Sequence, residues 1–184
     1  LLRERCLSQF VLPFKRLPPD ALAGGKGAAL ARLTQAGFPV PNGVVVLTGA
    51  YRAHIEEGGL REQIQELLKA SDFSDLGQLE VQLAQVRDLI QQEALPPKIA
   101  TALRAAYQGL STERAISPKP VAVRSSGTHE DGAEHSSAGQ YTTFLNVLDE
   151  GAMLRAVQAC WASLWTPQAA SYRVNAGQSH EDAA

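Results

Sequence analysis

Two short apolar runs set far apart constrain this chain more than any other feature. Val44-Val45-Val46-Leu47 is fully apolar and mostly β-branched, which suits a buried strand, and Val121-Ala122-Val123-Arg124 after Pro120 reads as a second. Between them, residues 60–110 carry helical periodicity. Leu79, Leu83, Val86 and Ile90 recur at spacings of three and four, and Pro96-Pro97 opens a further helix bearing Ile99, Leu103, Ala106 and Leu110. A third strand is expected over Gln140 to Val147, rich in threonine and aromatics. Strands separated by helices make an α/β chain. The expectation is one mixed sheet with flanking helices, and the 60–110 helices packed as a peripheral unit.

The remaining elements follow from turn chemistry. Gly24-Gly25-Lys26-Gly27 is a glycine-rich turn, and Ala28 to Leu33 continues as a short helix that Gly37 closes. Phe38 to Gly43 is extended, because each proline drives its predecessor out of the helical region. Thr48 is the expected N-cap of a helix through Tyr51, His54 and Ile55 that stops at Gly58-Gly59. Glu150 to Trp165 forms another amphipathic helix, and Pro167 opens a last one ending near Gly177. At 184 residues this is the size of one domain.

Charge and apolar runs narrow the function classes. A net charge of −2 supplies no basic field, which argues against a nucleic-acid partner. No apolar stretch approaches the roughly 20 residues of a membrane helix, and Leu1 to Phe14, with Arg3, Glu4 and Arg5, lacks a signal-peptide core. Cys6 and Cys160 lie far apart without metal-ligand spacing, so free thiols in a reducing compartment are expected, and with them a soluble, cytoplasmic protein.

Three constellations carry chemistry. Around Lys26 the glycines let backbone N–H groups approach an anion, and the helix that follows adds a favourable dipole. The loop is not a Walker A motif, since Asp20 and Gly27 stand where that motif needs Gly and Ser/Thr. Nor is it a dinucleotide fingerprint, because Leu30 replaces the third glycine. A plain glycine turn with a solvated lysine is the competing explanation. Arg124 ends an apolar strand, where a guanidinium must either pair with a carboxylate such as Glu130 or Asp131 or face a cleft and clamp phosphate. Ser136-Ser137-Ala138-Gly139 suits either a loop over phosphates or a tight hairpin. His129 and His135, near Glu130, Asp131 and Glu134, have no recognised ligand spacing, so no metal site is assigned.

Taken in order, these segments resemble a known family. Gly24-Gly25-Lys26-Gly27-Ala28-Ala29-Leu30 followed by Gly37 to Gly43 resembles the N-terminal signature of the phosphoenolpyruvate synthase and pyruvate phosphate dikinase family. Val121 to Ser126, Glu130-Asp131, Ala138 to Gln140 and Phe144 to Val147 resemble its second signature. Cys160 to Thr166 and Ser171-Tyr172-Arg173 look like the helical segment that follows. The likeness runs from about Ala23 to the end. Tyr141, Gly127 and His129 depart from the usual glutamine and alanines, which bears on the choice among members.

The resemblance implies the N-terminal lobe of an ATP-grasp fold, incomplete over residues 1–184 and holding the helical segment at about 60–110. It implies a phosphotransferase that passes a phosphoryl group from ATP through a phosphohistidine to pyruvate. Lys26 and Arg124 match the family's phosphate-contacting, catalytic pair, and Ser136, Ser137, Ala138, Gly139 and Gln140 match its loop over the triphosphate. Magnesium ligands are expected in a second lobe, and the phosphohistidine and pyruvate-binding domains elsewhere in a longer parent. The chain is accordingly expected to be an excised piece, inactive alone. The alternatives are a lobe of the rifampicin phosphotransferase or glucan water dikinase type, or a non-catalytic nucleotide-binding module.

Overall fold

In the computed structural model, residues 10–69, 76–111, 120–126 and 142–175 are described. They form a mixed α/β chain, mostly helical, with two small antiparallel sheets. Strand β2 (Val44–Val46) pairs with β1 (Val11–Pro13), Val11 opposite Val46 and Pro13 opposite Val44. The expected single mixed sheet is therefore not what the described strands make. Val44–Val46 finds its partner in a three-residue segment that ends in a proline, and the later strands pair with each other. Strand β2 is apolar throughout because both its faces are covered: Val44 and Val46 pack on the main core, while Val45 faces the helix α1 (Gly24–Gln35).

Helix α1 ends as its glycine demands. Gly37 takes φ +84, and the N–H groups of Gly37 and Phe38 donate to the carbonyls of Thr34 and Leu33, closing the last turn. The Gln35 amide donates to the Phe14 and Leu17 carbonyls, fixing that end of α1 to the short 3-10 turn Phe14–Arg16. Helix α2 (Thr48–Glu57) begins at Thr48 itself, with Leu47 as its cap residue. The expected Thr48 cap is thus replaced by one residue's offset, and the buried Thr48 hydroxyl makes no hydrogen bond among the described residues.

Helices α3 (Leu60–Lys69), α4 (Leu76–Gln92) and α5 (Pro97–Ser111) fill the expected helical segment. They are not peripheral. Leu79, Leu83, Val86, Ile90, Ile99 and Leu103 are buried in one cluster with Val11, Ala50, Ile55, Met153, Val157 and Trp161. Helix α6 (Glu150–Ala162), capped by Asp149 Oδ1 accepting from the Ala152 N–H at 2.7 Å, packs against α4 and α5 and against strand β3 (Val121–Arg124). Its Gln158 amide donates to the carbonyls of Ile90, Gln91 and Glu93, which satisfies the free C-terminal end of α4. A 3-10 turn, Ser163–Trp165, leads into α7 (Pro167–Asn175).

Strand β3 pairs antiparallel with β4 (Thr143–Val147), with Arg124 opposite Thr143. The register slips by one residue between Val121 and Val123, a bulge centred where Asn146 adopts φ +55. Asparagine tolerates that left-handed conformation better than most residues, and the bulge leaves Leu145 on the exposed side. Residues Gln140 and Tyr141, at the start of the expected third strand, lie outside the described residues.

Candidate functional site

The glycine turn and the end of β3, about a hundred residues apart in sequence, meet in the structure. Gly24 opens α1 at φ +65, a conformation that costs a side-chain-bearing residue dearly. A Cβ there would fall 1.9 Å from the Ser126 carbonyl oxygen, so glycine is required by space as well as by backbone angle. The cap residue of α1, Ala23, has no side chain able to satisfy the first turn. Ser126 does so instead. Its Oγ accepts from the Gly27 N–H at 2.9 Å and donates to the Ala23 carbonyl at 2.9 Å. Those are the two groups that the first turn of a regular helix pairs with each other.

Lys26 sits half-buried in this first turn, between Gly25 and Gly27. Arg124 ends β3 two residues before Ser126. Along β3 the burial alternates: Val121 and Val123 are packed on the core, whereas Ala122 and Arg124 are exposed. Arg124 makes no ion pair with a described residue, and its exposure removes the need for a buried carboxylate partner. Lys26 and Arg124 are thus carried on segments that touch through Ser126. Ser136, Ser137, Ala138, Gly139 and Gln140, with His129, Glu130 and Asp131, lie outside the described residues. Ser126 was visible in the sequence only as one of two serines following Arg124; nothing local to it announces a partner at Gly27.

The other polar groups of the interior are engaged in packing. Trp165 Nε1 donates to the Tyr51 hydroxyl at 2.9 Å, and burial pushes the Tyr51 phenol up to about 12 despite that bond. The Arg173 guanidinium lies 5.1 Å over the Trp165 ring and donates to the Leu164 carbonyl. Burial likewise pushes the Cys160 thiol up to about 12, which keeps it out of nucleophilic chemistry at neutral pH. His54 is fully buried, its ring 5.3 Å from that of Trp161, and its Nε2 lies 3.0 Å from the Ile90 carbonyl. That contact makes Nε2 the protonated nitrogen, and desolvation holds the imidazole below its ordinary range.

Among the described residues no group of three His, Cys, Asp or Glu side chains is placed to hold a metal ion, and no helix is long and apolar enough to cross a membrane. A surface depression of about 300 Å³ opens between β1, Asn42 to Val44 and α5, but neither Lys26 nor Arg124 lines it. The turn bearing Lys26 and the strand bearing Arg124 instead meet through Ser126, where α1 meets β3.

Comparison with known proteins identifies the family. Residues 20–184 match the family described as pyruvate phosphate dikinase, AMP/ATP-binding domain. A probable phosphoenolpyruvate synthase of Staphylothermus marinus is 41% identical over 162 residues, which are 87% of this chain and 19% of the relative. The phosphoenolpyruvate synthase of Aeropyrum pernix is 39% identical, covering 88% of this chain and 20% of its own length. That of Helicobacter pylori is 35% identical, covering 86% and 20%. The chain therefore spans about a fifth of the length of these relatives.

Proposed function

This chain belongs to the pyruvate phosphate dikinase AMP/ATP-binding domain family, and from that premise we propose that it binds the triphosphate of ATP where α1 meets β3. The observation that carries the reading is the double hydrogen bond of Ser126, which ties the Lys26 turn to the strand bearing Arg124. An N-terminal helical turn supplies a partial positive charge, Lys26 adds a point charge, and Arg124 adds a planar fork able to take two phosphate oxygens. Phosphoryl transfer asks mainly for such positioning and charge neutralisation. Ser136 to Gln140 complete the cradle as a loop over the phosphates in this proposal, within the N-terminal lobe of an ATP-grasp fold.

The wider role we assign is that of the ATP-binding part of a cytoplasmic phosphoenolpyruvate synthase-like dikinase, whose phosphoryl group travels through a phosphohistidine to pyruvate. That transfer belongs to parts of such an enzyme that this chain does not span, so binding without turnover is the activity proposed for these 184 residues. Among the described residues no three His, Cys, Asp or Glu side chains are grouped to hold a metal ion, and no step of the proposal runs through magnesium, which the family likeness implies.

The test is a titration of the isotope-labelled chain with ATP, followed by nuclear magnetic resonance. Amide signals of Gly25, Lys26 and Gly27 should move, and Lys26→Ala should weaken binding roughly 10–100-fold, as expected for a lost charge-assisted contact. Failure of ATP and of inorganic tripolyphosphate to move those signals would overturn the proposal.

A further inference from the structure

The Ser126 hydroxyl occupies an unusual place. It accepts from the Gly27 N–H and donates its O–H to the Ala23 carbonyl, each at 2.9 Å, so it is inserted at the first rung of α1. Gly24 and Gly27 make room for it. A Cβ on Gly24 would lie 2.5 Å from Ser126 Oγ, and one on Gly27 would lie 3.5 Å from it while pressing on the Val45 methyls at 3.1 and 3.2 Å. Two of the three glycines in the turn are thus explained by the approach of one serine and of the strand beneath. At Gly43, by contrast, the nearest atoms to an added Cβ belong to the Phe14 ring, and this glycine has no part in the turn.

We infer that Ser126 is a positioning residue, which holds the phosphate-facing turn of α1 and the Arg124 end of β3 in one fixed relation. This rests on the triphosphate reading of the same site. The helix does not need the serine for its own integrity. If the hydroxyl is removed, the Gly27 N–H and the Ala23 carbonyl are left facing each other across the first turn, and a slight tightening lets them form the ordinary i to i−4 bond. What is lost is the tie between two segments 99 and 103 residues apart. Lys26 and Arg124 would then each keep their charge but no longer be held at a set separation, and a ligand that must engage both would have to order them at the moment of binding.

Preorganisation by one bridging hydroxyl therefore predicts a specific pattern. Ser126→Ala should weaken ATP and inorganic tripolyphosphate alike by about tenfold, the order expected from losing one or two neutral hydrogen bonds. The urea midpoint should stay near that of the unaltered chain. Arg124→Ala should cost less in the Ser126→Ala background than alone, because the two residues act as a unit. Ser126→Gly removes the hydroxyl without placing a methyl beside Gly24 and should behave as Ser126→Ala does. If the unaltered chain binds tripolyphosphate, Lys26→Ala weakens it and both Ser126 variants bind as before, the positioning role is refuted while the site stands. A midpoint that falls in step with affinity in both variants returns Ser126 to simple structural service and refutes it too. If the unaltered chain binds neither ligand, the triphosphate reading fails first and carries this inference with it.

Discussion

Placing a single methyl group on Gly24 tests the contact on which the site depends. Gly24→Ala meets two separate costs. At φ +65 an L-residue is in the left-handed region, at about 1–2 kcal/mol. The added Cβ would also lie 1.9 Å from the Ser126 carbonyl oxygen and 2.4 Å from its carbon. Both are backbone atoms, so no change of rotamer relieves the clash, and either α1 or the end of β3 must withdraw. Forced overpacking of this kind typically costs about 1–3 kcal/mol, giving about 2–5 kcal/mol in all. Gly37→Ala supplies the control. Its φ is +84 but nothing lies within 4 Å of the new Cβ, so only the backbone cost of about 1–2 kcal/mol applies. Urea unfolding of both variants isolates the close approach as the difference between them, about 1–3 kcal/mol. ATP titration should show Gly24→Ala impaired and Gly37→Ala unaffected. Equal destabilisation by the two substitutions, with equal ATP binding, would mean that α1 and β3 do not meet as described.

Two further outcomes follow from burial. Arg124 is exposed, so Arg124→Ala should change stability by no more than about 0.5 kcal/mol while weakening ATP roughly 10–100-fold; a large loss of stability with ATP binding intact would instead mark a structural ion pair. His54 titrates below its ordinary value of 6.5 because burial disfavours its charge. The unfolded chain then binds the proton more readily than the folded one, so this contribution is complete above pH 6.5 and is lost as pH falls from there through the lower folded-state value. Urea midpoints measured on either side of that pH should separate for the unaltered chain and draw closer in His54→Gln; the same pH dependence in both would show that His54 is not the group responsible.

Periodicity made most of this fold legible. The stripe Leu79, Leu83, Val86 and Ile90 is fully buried, as its spacing demands. Yet a stripe says that a face is covered and not by what, which is why these helices, expected at the periphery, form part of the main core beside α6. Strand β1 escaped reading because three residues ending in Pro13 carry too little pattern to be told from a loop. The place of His54 was not legible, because one histidine in a helix carries no sign of its surroundings; it fills the interior against Trp161 and bonds to the Ile90 carbonyl.

Lys26 and Arg124 were legible as candidates for chemical reasons: glycines around a lysine let backbone N–H groups approach an anion, and a guanidinium ending an apolar strand must pair or face a cleft. What brings their segments together was hidden, because a short polar side chain after a strand is the ordinary content of a turn. Its partners, Ala23 and Gly27, contribute only backbone groups, which every residue type carries, so no side-chain pattern encodes the contact. The trace it does leave is subtractive. Gly24 has no room for a Cβ beneath Ser126, and Gly27 has little between Val45 and the same hydroxyl. Glycines around a lysine are usually credited with making space for a ligand. In this chain two of them make space for the protein's own strand, and the turn proposed to bind the triphosphate owes its shape to that contact.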